Sequence, residues 1–134
     1  MISLFTPTHS PDRLQRLYNS LKEQTNPSFE WVVCPNGPRK SEIVSFLEGL
    51  GDDRIKIHPV PSRVPVYAGA LKRFACERCE GDLFVEVDHD DWLAPTCVSK
   101  LIIGMRMTDA GFLFSEAIGM QEGSVTVETY SPQY

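Results

Sequence analysis

Three carboxylates, Asp88, Asp90 and Asp91, close an apolar run in the segment Asp82-Leu-Phe-Val-Glu-Val-Asp-His-Asp-Asp-Trp-Leu-Ala-Pro95. Two carboxylates separated by one residue can approach a single hard divalent cation, which takes oxygen ligands and leaves positions open for water or substrate phosphate oxygens. The competing reading is structural: Asp91 caps the helix that follows, Asp88 and Asp90 are solvated, and nothing binds. Residue types alone leave both readings open, because short acidic loops are common.

The elements around this turn decide where it sits. Leu83 to Val87 is short, β-branched and aromatic, bounded by Gly81 and by acids, and reads as a buried strand. Alternation puts Leu83, Val85 and Val87 on one face and Phe84, Glu86 and Asp88 on the other. Glu86 is out of place in such a strand, and burial without a partner is costly, so it is expected to meet a basic residue or to have a raised pKa. Asp88 and Asp90 then lie at a strand's carboxyl end, the edge where open α/β sheets bind ligands.

The remaining chain repeats the strand-then-helix pattern. Ile2 to Thr6 reads as a first strand, with Thr8, His9 and Ser10 as its exit loop. Ser10-Pro11-Asp12 has the makings of a helix start. Leu14, Leu17, Tyr18 and Leu21 then supply an apolar stripe. Phe29 to Cys34 is a second strand, closed by the turn Pro35-Asn36-Gly37-Pro38. A second helix carries Ile43, Phe46, Leu47 and Leu50 and ends at Gly51. Arg54 to Pro59 alternates as a half-covered strand near an edge. An extended loop with Pro59, Pro61 and Pro65 leads to a helix over Tyr67 to Cys79, and Pro95 opens a fourth, with Val98, Leu101, Ile102 and Met105 on one face. Gly111 to Met120 and Ser124 to Tyr130 read as a hairpin turning at Glu122-Gly123. The expectation is an α/β fold, a mostly parallel Rossmann-like sheet with helices on both faces, in one domain over 1–134.

Composition narrows the partners. The 134 residues carry a net charge of −5, and the basic residues form no dense run, which argues against nucleic acid. No apolar stretch reaches the roughly 18 residues of a membrane span, and Met1 to Phe5 has no basic leader, so a soluble, cytoplasmic protein is expected. Four cysteines are too few for a disulfide scaffold. Cys76-Glu-Arg-Cys79 has redox spacing, but it falls near a helix end, whereas reactive pairs need a helix start that lowers thiol pKa, so a structural or incidental role is expected.

In order along the chain, Pro7-Thr8-His9-Ser10, Gln24-Thr25, Phe29-Glu-Trp-Val-Val-Cys-Pro-Asn-Gly37 and Gly81-Asp-Leu-Phe-Val-Glu-Val-Asp-His-Asp-Asp-Trp92 resemble the motifs of the inverting family 2 glycosyltransferases with the nucleotide-binding GT-A fold. The resemblance implies a nucleotide-diphosphate sugar donor across the carboxyl ends of the first four strands. It implies Asp90 as the main protein ligand of Mn2+ or Mg2+, with Asp88 facing the ribose or the metal shell. Pro7, Thr8 and His9 would line the base, His9 replacing an aromatic that stacks on uracil. Asn36 would replace an aspartate that reads the base edge, its amide oxygen still able to accept from a uracil N–H. Lys72 or Arg73 would approach the phosphates, with Arg63 a third candidate. Taken alone, His9 reads as a surface histidine and each base as a solvated charge.

Inverting transfer also requires a carboxylate to take the proton of the acceptor hydroxyl. No spacing assigns that base, although Glu116 and Glu122 are available. In similar proteins it lies well downstream, in an acceptor half, so the 134 residues are expected to be a donor-binding domain lacking that half. A non-catalytic nucleotide-sugar-binding module is the rival from another class. A sugar-nucleotidyltransferase would share the fold, but calls for a glycine-rich loop with a basic residue after the first strand, where Pro7-Thr8-His9-Ser10 stands. A dinucleotide oxidoreductase would need a Gly-x-Gly-x-x-Gly turn, which does not occur.

Overall fold

The computed structural model describes residues 1–108, 111, 117–121 and 124–128. The chain falls into two compact units, Met1–Ile102 and Ile103–Tyr134.

In the first unit, β1 (Ile2–Thr8), β2 (Phe29–Pro35), β3 (Ile55–Ile57) and β4 (Leu83–Glu86) form one sheet in the order β3-β2-β1-β4. Every pairing in it is parallel. Its helices are α1 (Leu14–Lys22), α2 (Lys40–Gly49), α3 (Ala68–Cys76) and the first residues of α4 (Cys97–Met107), within which the boundary between the units falls. Alternation along the strands splits the core in two. Ile2, Leu4, Phe29, Trp31 and Val33 meet the stripes of α1 and α2 and Val98 of α4 on one face. Phe5, Val32 and Cys34 meet Phe74 and Ala75 of α3 and Val60 on the other. The parallel α/β sheet with helices on both faces is therefore as expected. From β1 the chain steps outward to β2 and β3, then crosses back to place β4 on the other side of β1, so the strand order reverses between β1 and β4.

The two ends of β4 are fixed differently. Below it, the buried Glu30 carboxylate accepts from Ser3 Oγ at 2.5 Å and from the Glu80 N–H at 2.7 Å, while Ser3 Oγ accepts from the Gly81 N–H at 2.8 Å. A Cβ on Gly81 would lie 2.7 Å from the Met1 carbonyl oxygen and 2.8 Å from the Ser3 nitrogen, so glycine is required there. Above it, Thr6 Oγ1 donates to the Val87 carbonyl at 2.7 Å and accepts from Trp31 Nε1 at 2.9 Å, all within the core.

Several boundaries differ from the sequence reading. β1 runs to Thr8, two residues further than expected, and Thr8 is buried. α1 starts at Leu14 rather than at Pro11 behind a Ser10 cap, because Thr8 Oγ1 holds Ser10 in a tight turn, accepting from its N–H at 3.2 Å and donating to its carbonyl at 3.0 Å. Ser10 Oγ is spent on Asp12 at 3.2 Å instead of capping a helix. α3 ends at Cys76. β4 is not buried on both sides: it is the edge of this sheet, and its outer-face residues Phe84 and Glu86 are exposed. β3 is the opposite edge and half-covered, as its alternation predicts. Gly51 takes the left-handed φ of +61° just beyond α2.

In the second unit, β5 (Ala117–Gln121) and β6 (Ser124–Glu128) pair antiparallel in the expected hairpin. The proposed turn residues Glu122 and Gly123, and the carboxylate candidate Glu116, lie outside the described residues.

Candidate functional site

Because β1 and β4 are parallel neighbours, their carboxyl ends deliver Pro7-Thr8-His9 and Asp88-His89-Asp90 to the same edge. The His9 and His89 rings meet edge-to-face with centroids 5.4 Å apart. β2 brings Asn36 alongside: its N–H donates to the Thr8 carbonyl at 2.8 Å, and it is largely buried. Gly37 follows with φ +73°, and a Cβ there would stand 3.3 Å from that of His9, so glycine lets the β2 turn close against the histidine.

The acidic turn is self-contained. The Asp88 N–H donates to Asp91 Oδ2 at 2.9 Å and the Asp91 N–H to the Asp88 carbonyl at 3.0 Å. Burial of its carboxyl group raises the pKa of Asp91, and the charges of Asp88, Asp90 and Glu86 push the same way. Asp91 is thus not a helix cap, since α4 begins six positions later at Cys97. The cap there is Gln24, whose Oε1 accepts from the Val98 N–H at 3.0 Å while its Nε2 donates to the Ala94 carbonyl at 2.9 Å. Thr25 adds a backbone bond to the Pro95 carbonyl at 2.8 Å, and Ser20 Oγ accepts from the Leu93 N–H at 3.2 Å. The end of α1 therefore clamps the exit of the turn.

Tied down at both sides, the turn presents Asp88 and Asp90 at the surface. Asp90 Oδ2 accepts from Arg13 Nη1 at 3.1 Å. Lys72 reaches from α3 to Glu86 Oε1 at 2.5 Å, so Glu86 meets a basic residue as expected. That hydrogen bond raises the Lys72 pKa, and the charges of Glu86 and Asp88 add to it, so the ammonium stays charged beside Glu86. Arg73 is not brought there: it is highly exposed and pairs with Glu77 at 2.9 Å along its own helix. Arg63 is exposed in the proline-rich loop.

Among the described residues no three or more of His, Cys, Asp and Glu gather into a metal-binding group. A site of two surface carboxylates does not suit a cation held by protein alone. It does suit Mg2+ or a similar ion, which protein sites commonly hold through one or two carboxylates plus substrate phosphates and water. The cysteines fit no second centre: all four are free, and burial pushes Cys34 up to about 12 and Cys79 up to about 11, away from reactivity.

A sequence profile for glycosyl transferase family 2 matches residues 3–118. The chain belongs to this family. Crystal structures of S. aureus TarS share its GT-A fold: TarS 1-349 superposes with a TM-score of 0.68 at 19% identity, over 79% of this chain and 32% of that one. TarS 1-349 in complex with UDP-GlcNAc gives 0.63 at 19%, over 79% and 31%. Its complex with UDP gives 0.63 at 20%, over 79% and 32%. This chain thus spans about a third of the length of those structures. No curated protein matches significantly.

Two residues of this family 2 chain that residue types and spacing do not single out also shape the edge: Arg13 and His89. His89 and His9 converge only through the neighbouring of β1 and β4. Gln24 had a signal in the Gln24-Thr25 pair, and its partners show what the pair does.

Proposed function

We propose that this chain binds a nucleotide-diphosphate sugar, a UDP-sugar, through Mn2+ or Mg2+ at Asp88 and Asp90, for inverting transfer to an acceptor hydroxyl. The observation that carries the reading is the convergence of Pro7-Thr8-His9 and Asp88-His89-Asp90 at the reversal of strand order in a family 2 chain. The TarS complexes with UDP and UDP-GlcNAc favour the same donor class.

In this reading His9 stacks on the uracil, Pro7 and Thr8 line the base, and Asn36 accepts from its N–H. Asp90 is the principal metal ligand, and Asp88 faces the ribose or the metal shell. Of the two basic candidates on α3 we assign Lys72 to the phosphates, since it pairs with Glu86 at the end of β4 while Arg73 pairs with Glu77 on its own helix. The cation, when bound, offsets the negative charge that grows on the departing diphosphate. The protein's share is to hold the turn that carries the two carboxylates, through the Thr6, Asp91 and Gln24 hydrogen bonds, while Glu86 keeps Lys72 close to the end of β4. The acceptor hydroxyl also needs a general base, and we assign the described residues to donor binding. A cytoplasmic setting belongs to the same proposal, its four free thiols matching a reducing compartment.

Thermal unfolding with UDP, GDP, ADP and CDP, each with Mn2+ or Mg2+, tests the donor assignment. UDP at a hundredfold excess over Kd is expected to stabilise by about 2.7 kcal/mol, a shift of several degrees, with the other bases giving less. A chain stabilised by none of the four would not be a nucleotide-sugar site.

A further inference from the structure

Arg13 sits outside the motifs that brought the other site residues into view, yet it makes the one ion pair found on the metal-ligand candidates among the described residues. It lies on the loop between β1 and α1. Asp12 reaches one way, taking Arg39 at the start of α2 in a bidentate pair at 2.8 and 3.1 Å. Its neighbour Arg13 reaches the other way, to Asp90 at 3.1 Å. Two consecutive residues therefore tie the β1–α1 loop to the loops that follow β2 and β4. The Arg39 end is the firmer: its guanidinium is also held by Glu42 at 2.7 and 2.9 Å, and those bonds raise its pKa. The Arg13 end is a single contact between two exposed side chains, the kind of pair that breaks at little cost.

Resting on the metal-dependent donor site proposed above, we propose that Arg13 is the resident counter-charge of Asp90, displaced by the divalent cation and passed to the donor's diphosphate. Two facts of geometry support it. A guanidinium donating to Asp90 Oδ2 takes one of the carboxylate's acceptor positions and offsets its charge, so it competes with a cation for the same carboxylate. Were a divalent cation held jointly by Asp90 and the donor's phosphates, Arg13, already beside that carboxylate at 3.1 Å, would be the nearest paired base available to the phosphate oxygens. A planar guanidinium is suited to phosphate oxygens as well as to carboxylate. The strap would offset the charge of Asp90 before the cation binds and add a phosphate contact once the donor arrives, with Asp12 and Arg39 keeping the loop in place.

The test compares wild-type protein with Arg13→Gln and Asp90→Asn in two titrations, Mn2+ alone followed by the EPR signal of the free ion, and UDP at saturating Mn2+ by calorimetry. Arg13→Gln is expected to bind Mn2+ alone about two- to fivefold more tightly, the equivalent of one exposed ion pair released, and to bind UDP several-fold more weakly. Unchanged or weaker Mn2+ affinity, or undiminished UDP affinity, overturns the role of Arg13. If wild-type protein binds neither Mn2+ nor UDP, or if Asp90→Asn binds both as well as wild type, the donor-site reading fails and the assignment of Arg13 falls with it, an outcome distinct from a failure confined to Arg13→Gln.

Discussion

Glu86 interrupts an apolar strand, and the need for a basic partner follows from that alone; which base supplies it depends on α3 lying over β1 and β2 on the sheet face that Glu86 shares, near enough for Lys72 to reach it. Lys72 fills the role, with both side chains more than a third exposed. Lys72→Met is therefore expected to change stability by no more than about 1 kcal/mol in urea unfolding. Its effect should appear instead in UDP affinity, reduced several-fold in calorimetry if Lys72 meets a phosphate. Asp52 is the contrasting case. It is mostly buried, and hydrogen bonds from Arg54 hold its pKa at about 2, below the ordinary 3.8. A depressed carboxyl pKa means stability that is complete above about pH 4 and disappears as pH falls through about 2. Urea unfolding across that window should show wild type losing up to about 2 kcal/mol, with Asp52→Asn less stable at pH 5 and flatter toward acid. Arg13 had no such signal, since its partner is 77 positions away and on another loop.

At the level of elements, the helices and strands follow from apolar spacing, and the errors fall where side chains override it. Pro7 argues against a central strand, because proline offers no N–H to the ladder. β1 tolerates it because Phe5 and Pro7 face β4, whose pairing stops at Phe5 with Glu86, so the missing N–H falls beyond the last rung. The helix start at Ser10 was readable only as a local cap, and the Thr8 hydroxyl outcompetes it. The Thr6 hydroxyl has a larger task, joining Trp31 to the last residue before the acidic turn. Thr6→Val would leave the Trp31 N–H and the Val87 carbonyl buried without partners. A loss of about 1–3 kcal/mol is expected in chemical denaturation, with UDP affinity falling more than for a surface change of equal cost. Gly81→Ala pushes backbone against backbone at the entrance of β4 and should destabilise the protein by at least as much. A Gly81→Ala protein as stable as wild type would mean that the β1–β4 register is less rigid than the Ser3, Glu30 and Gly81 contacts require.

For the whole molecule, the alternation of strands and helices makes a parallel sheet with two covered faces legible before any coordinates. The order β3-β2-β1-β4 is not legible from periodicity, because nothing local tells β4 on which side of β1 to pair. That choice creates the site: it turns two unremarkable loops, one with His9 and one with Asp88 and Asp90, into facing walls. The division into units at Ile102 and Ile103 was equally invisible, falling inside the apolar stripe of α4. The central claim, that these walls hold a nucleoside diphosphate through a cation on Asp90, is tested most directly by calorimetric titration of UDP with and without Mn2+, on wild type and Asp90→Ala. Binding that requires the metal and disappears in Asp90→Ala, with the variant still folded, is the predicted result. UDP binding of equal strength without metal, or retained in Asp90→Ala, would contradict it.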